Sequence, residues 1–303
     1  MEKTYEQVQK EVYKAGEVTS SISDKVKAQG DRYLVPLDDR QVEIVCYRAM
    51  SEAARNPVIF GMHGGGFVVG GCAFDDGLWD ALRRRTGCTV ISIGYRKAPN
   101  HPFPAAIHDV YDAMSYCIEE KLRFPFDRGR INLFGSSAGA TLAASVTLLS
   151  QRLGLPTIDK LLLNYPYLDL ATDLEEKGAQ GNDALTSRVF RDSYVKDYNA
   201  KEPFISPIYT ESSELADFPD TYISVCENDT LRAEGEEFAR KLKAAGVYVE
   251  TTMAEGMPHA YFEHNFGKAM PGEKDEIASI RADGSMAARS DETLEFFARA
   301  VTD

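Results

Sequence analysis

The chain has 303 residues, 44% hydrophobic and 27% charged, an ordinary globular composition long enough to bury one large core. A formal net charge of -13 argues against nucleic acid and anionic membrane surfaces as partners, because both repel an acidic chain. No window approaches the roughly 18 unbroken apolar residues of a membrane span.

The N-terminus, "MEKTYEQVQKEVYKAGEVT", is polar and lacks the apolar core of a secretory signal. The five cysteines (Cys46, Cys72, Cys88, Cys117 and Cys226) are odd in number and form no CxxC pair. The expectation is therefore free thiols in a reducing cytoplasm rather than a disulfide framework or a zinc site.

In chain order, residues 1–30 look helical and polar, and residues 32–49 look like a hairpin turning at Asp38-Asp39-Arg40. Apolar runs of strand length follow at 56–62, 88–95, 130–135, 159–166, 221–226 and 247–253. They are continuous rather than alternating, as in strands buried on both faces. Helical patterns lie between them at 105–121, 138–153 and 233–245. The last, "AEGEEFARKLKAA", puts acid first and base last, as a helix dipole favours. Alternating strands and helices predict an α/β fold: a mostly parallel sheet covered by helices, with an antiparallel edge. Residues 168–205 are polar, with a helical stretch near 187–198, and 265–288 reads as a long loop before a last helix at 291–301.

The sharpest local signal is Gly135-Ser136-Ser137-Ala138-Gly139, which follows the strand-like 131–134 and precedes a helical run. A strand running into G-x-S-x-G and then a helix is a nucleophile elbow, whose tight turn demands small neighbours. The spacing makes Ser137 the nucleophile; the bland alternative is a helix N-cap in a Gly/Ser turn. Upstream, His63-Gly64-Gly65-Gly66-Phe67 follows another strand. HGGG is an oxyanion loop of lipases and esterases, and the N–H groups of Gly64, Gly65 and Ala138 would meet the developing charge. His63, Gly66 and Phe67 are expected to line the substrate, with His63 fixing the loop by a side-chain hydrogen bond. A phosphate-binding glycine loop fails on detail, since neither G-x-G-x-x-G nor a following Lys-Ser/Thr is present.

This fold's triad runs serine, acid, histidine in chain order. That order excludes His63, His101 and His108 as the base and leaves His259 and His264. His259, in a loop just after a strand, is the expected base, and His264 reads as surface or structural. Asp229, just beyond the strand at 221–226, is the expected acid, with Glu227 and Asn228 as alternatives and a helix N-cap as its bland reading.

With these residues in hand, the sequence resembles the hormone-sensitive-lipase-like family of α/β-hydrolases in its bacterial carboxylesterase form. The likeness is carried by "HGGGFVVGG", "YRKAPNHPFPAAIHDV", "GSSAGATLA", "NDTLRAEGEEFA" and "MPHAYF", with "LNYPYLDL" and "ISPIY" as further blocks. The resemblance implies an α/β-hydrolase fold in one domain over 1–303, with cap elements at 1–30 and about 168–205. It also implies hydrolysis of short-chain acyl esters through Ser137, Asp229 and His259, with no cofactor or metal. The partner is a small-molecule ester; a homo-oligomer stays open. Four positions depart from the family: Ser136 stands where an aspartate is usual, Ala140 where a second glycine is common, and Lys97 and Asn100 replace an apolar residue and an acid. Two rivals remain: an amidase or peptidase using the same triad, and a non-catalytic binder on the same scaffold.

Overall fold

The computed structural model describes residues 3–51, 56–119, 124–266 and 275–302. Its strands are β1 (Asp31–Pro36), β2 (Gln41–Tyr47), β3 (Val58–Met62), β4 (Thr89–Gly94), β5 (Ile131–Ser136), β6 (Lys160–Asn164), β7 (Asp220–Asn228) and β8 (Val249–Pro258). They form one sheet in the order β1-β2-β4-β3-β5-β6-β7-β8. β2 runs against both β1 and β4, while β4 through β8 run parallel. β3 and β5 are buried at every position, which is why their sequences are apolar or small except at Asn132, whose side-chain amide donates to the Val58 carbonyl at 3.0 Å.

Helices cover both faces. They are α1 (Tyr5–Lys25), α2 (Asp76–Thr86), α3 (Ala105–Ile118), α4 (Ala138–Leu153), α5 (Gly181–Val195), α6 (Ser212–Leu215), α7 (Arg232–Ala244), α8 (Tyr261–Phe266), α9 (Asp275–Ala282) and α10 (Ser285–Thr302). Val110 and Met114 of α3, Leu142 and Val146 of α4 and Phe238 of α7 share one apolar core with the sheet. Trp79 and Leu82 of α2, Phe262 of α8 and Phe297 of α10 fill the core on the other face.

The two regions outside the strand–helix alternation meet: α1 packs on α5, where Tyr13 and Ser193 hydroxyls lie 3.0 Å apart and Tyr5 donates to Asp192 at 3.1 Å. From α1, the Thr19 hydroxyl accepts the Gly70 N–H at 2.9 Å and the Ser23 hydroxyl accepts the Ala73 N–H at 3.1 Å.

Three expectations need correction. The segment between β3 and β4 carries α2, which the sequence reading passed over because its "DALRRRT" run is mostly charged. The strand expected to end at 253 continues to Pro258, through a register shift between β7 and β8 near Cys226 and Asn228. The stretch 265–288 is not one loop: it holds the end of α8, all of α9 and the start of α10, with 267–274 outside the described residues. Charged residues dilute the apolar pattern of α9 and of the first turns of α10, although Met286 and Ser290 are fully buried.

Candidate active site

The sheet register brings the strand ends to one edge. Met62 pairs with Gly135, and Ser136 with Asn164. The chain therefore leaves β3, β5 and β6 at one level, into the 63–66 loop, the Ser137 elbow and Tyr165. β7 ends at Asn228, one residue before Asp229, and β8 ends at Pro258, one residue before His259. This is the edge where open parallel sheets bind ligands.

Ser137 has φ 54° and ψ -119°, in the sparsely populated positive-φ region, at a cost of roughly 1–3 kcal/mol. Its N–H donates to the Asn164 carbonyl at 2.9 Å, which ties the elbow to the end of β6. The elbow tolerates no side chain at Gly139, where a Cβ would lie 2.1 Å from the Met62 carbonyl oxygen. Three side chains then fall into line. His259 Nε2 lies 2.9 Å from Ser137 Oγ, and His259 Nδ1 lies 2.7 Å from Asp229 Oδ2. The Asp229 carboxylate is 1% exposed, and its other oxygen accepts the Leu231 N–H at 2.9 Å. Glu227 and Asn228 instead bind Gly256, through its N–H and its carbonyl. His264 sits on α8, with its N–H bonded to the Ala260 carbonyl.

The glycine loop lies against the elbow: a Cβ on Gly64 would be 3.2 Å from the Ser136 carbonyl oxygen. Gly65 has φ 104°, and a Cβ there would meet the Val69 carbonyl oxygen at 2.4 Å. Ala138 is the first residue of α4, so its N–H has no carbonyl a turn before it and lies at the positive end of the helix dipole.

His63 is buried, and its ring stacks on Tyr95 at 4.3 Å. Its Nδ1 lies 2.7 Å from the Gly64 carbonyl, so that nitrogen carries the proton and donates it. Burial, with Lys97 nearby as a smaller cause, pushes the imidazole down to about 3, so it is neutral at ordinary pH. Phe67 is fully buried and stacks on Tyr194 of α5 at 3.8 Å, while Gly66 packs under the Phe190 ring.

Sequence reasoning assigned no role to several residues that support this site. Tyr95 donates to the His63 carbonyl at 2.8 Å. Asn164 holds the elbow twice, through its carbonyl and through its amide to the Ser136 hydroxyl at 3.2 Å. Tyr165 packs edge-on against the His259 ring at 4.9 Å. Tyr95, Asn164 and Tyr165 all fall in blocks that carried the family likeness, the one signal that pointed at them.

Comparison with known proteins agrees with this architecture. A family model described as the alpha/beta hydrolase fold matches residues 59–263. The chain is similar to Esterase LipI of Mycobacterium tuberculosis, 34% identical over 214 residues that cover 69% of this chain and 67% of that one. It is 30% identical to an arylesterase of Saccharolobus solfataricus, with 75% of each chain covered. The solved structure of a hyperthermophilic esterase from the archaeon Pyrobaculum calidifontis superposes with a TM-score of 0.77 at 25% identity, covering 98% of this chain and 94% of that one. The strand-ordered sheet, the serine elbow at its edge and these matches together mean that the chain belongs to the α/β-hydrolase family, among its hormone-sensitive-lipase-like carboxylesterases.

Proposed function

We propose that the protein hydrolyses short-chain carboxylic esters through a Ser137–His259–Asp229 triad. The observation that carries this reading is the pair of contacts made by one imidazole, 2.9 Å to the Ser137 hydroxyl and 2.7 Å to the Asp229 carboxylate. His259 takes the Ser137 proton as the oxygen attacks the ester carbonyl. The Gly64, Gly65 and Ala138 amides hold the resulting oxyanion. His259 then gives the proton to the leaving alcohol, which departs and leaves the acyl group on Ser137. Water, activated by the same imidazole, releases the acid. Asp229 holds the Nδ1–H tautomer and stabilises the imidazolium. The neutral His63 shapes the loop and takes no part as a base.

α1 and α5 form a cap over this edge, both bonded or stacked against residues of the 63–73 loop. The reading of short acyl chains is supported by Phe190 of α5, whose ring stands 2.1 Å from where a Cβ on Gly66 would be and so crowds the space beside the oxyanion loop. The five cysteines are free and buried, consistent with a reducing, cytoplasmic setting.

p-Nitrophenyl esters from acetate to long chains, assayed with the native protein and Ser137→Ala, test the proposal. Turnover that falls with chain length and disappears in Ser137→Ala is expected, with Ser136→Ala keeping most of it. Full activity in Ser137→Ala, or none in the native protein, would overturn it.

A further inference from the structure

Behind the elbow lies a group the mechanism above does not use. Glu263, on α8 four residues past His259, turns its carboxyl into the wall between β5 and β6. Tyr165 donates its hydroxyl to Glu263 Oε2. The other carboxyl oxygen is buried as well. Ser136 is beside it, and Asp75 at the head of α2 is the neighbouring acid. Asp75 makes no side-chain cap bond to α2, and no lysine or arginine among the described residues acts on either carboxyl. Two buried acids without a cation cannot both ionise cheaply.

We propose that Glu263 is a positioning residue for the His259 base: its carboxyl group, bonded to the Tyr165 hydroxyl, fixes the ring on which the imidazole rests. The chain of contact is continuous. Glu263 holds the Tyr165 hydroxyl, and the Tyr165 ring meets His259 edge-on at 4.9 Å. His259 in turn must stay within hydrogen-bond reach of Ser137, where misplacement by about 1 Å costs on the order of 100-fold in rate.

The arrangement also gives Ser136 a reason. An aspartate at that position would put a third carboxyl against Asp75 and Glu263. A hydroxyl is small, neutral and able to face the acid already there.

The groups facing Glu263 are Asp75 from α2, Tyr165 from the end of β6 and Ser136 from β5. Tyr95, after β4, interacts with Asp75, and His259 packs against the Tyr165 ring. Burial pushes both carboxyls above the usual range, and the charge of Asp75 raises Glu263 further. Alkaline pH therefore removes the Glu263 proton and places negative charge behind a site that must itself hold an oxyanion.

The inference rests on the esterase reading, and the test separates the two. Glu263→Ala, Glu263→Gln and Tyr165→Phe are assayed for kcat and KM on p-nitrophenyl acetate from pH 6 to 10. The rate of Ser137 labelling by a fluorophosphonate and the thermal midpoint are measured alongside. Expected are a loss of at least about tenfold in kcat and in labelling for Glu263→Ala, with KM little changed. Tyr165→Phe, which keeps the ring and breaks only the hydroxyl contact, falls in the same direction and covers the case in which Glu263→Ala fails to fold. Glu263→Gln, uncharged and able to accept from Tyr165, recovers most of the loss at neutral pH and displaces the alkaline fall seen in the native protein. Native-like kcat in both Glu263→Ala and Tyr165→Phe, or an alkaline limb identical in native protein and Glu263→Gln, would overturn the positioning role while leaving the esterase reading intact. Absence of ester turnover by the native protein would overturn the esterase reading itself.

Discussion

His63 makes the fold acid-sensitive by an amount that follows from its burial. An unfolded histidine titrates near 6.5, whereas in the fold burial holds this ring down to about 3. The unfolded chain therefore binds a proton that the folded chain refuses, and stability falls as pH drops below 6.5, levelling off only near 3. Each pH unit in that window is worth about 1.4 kcal/mol, so the loss between pH 6.5 and pH 5 is about 2 kcal/mol. Glu234, buried beside Lys177 and pushed up to about 7, has the opposite sign, since its folded form holds a proton near neutrality that the unfolded form has lost. A difference measurement cancels it. Urea unfolding of native protein and His63→Gln at pH 7, 6 and 5 should give curves that converge by about 2 kcal/mol toward acid, because glutamine does not titrate. Curves that stay parallel from pH 7 to pH 5 would refute the claim that His63 is a buried neutral ring in the oxyanion loop.

Three further outcomes are expected. Asp229→Asn keeps the shape beside His259 but no longer enforces the Nδ1–H tautomer, so kcat should fall by about 10³–10⁴-fold with KM little changed, read by steady-state kinetics. Asp109, fully buried, takes Arg40 at 2.6 Å, the Arg96 guanidinium at 2.9 Å and the Arg96 N–H at 2.8 Å. Asp109→Ala leaves the Arg40 Nε–H and the Arg96 donors without this acceptor, though Arg40 keeps Asp39 and Asp112, and should cost about 3 kcal/mol in denaturant unfolding, with Asp109→Asn costing less. Phe190→Ala opens the space over Gly66, so the ratio of long-chain to acetate turnover should rise, and an unchanged ratio would remove Phe190 from the specificity argument.

The strands of the parallel sheet were legible because burial on both faces leaves a mark that survives in one sequence: five of five positions in β3 and six of six in β5 are buried. The elbow was legible for a steric reason. Gly135 and Gly139 face backbone so closely that only glycine fits, and the chain therefore writes G-x-S-x-G. α2 was not legible, because it carries Arg83, Arg84 and Arg85 in succession. Its buried Leu78, Trp79 and Leu82 are a short signal beside them. α9 and the head of α10 were obscured in the same way.

The support around the site was hidden for a different reason. Tyr95, Asn164, Tyr165 and Glu263 each act on a residue of another segment, and nothing local in a sequence marks such a pairing. Ser136 illustrates this best. As a letter in the elbow it is only a departure from the usual acid. In the fold, an acid already stands opposite it, delivered by α8, and the Asn164 amide bonds the serine hydroxyl. Charge in the wall behind a nucleophile is a property of the space, which a carboxyl can enter from any neighbouring element, so its presence could not be judged from position 136 alone.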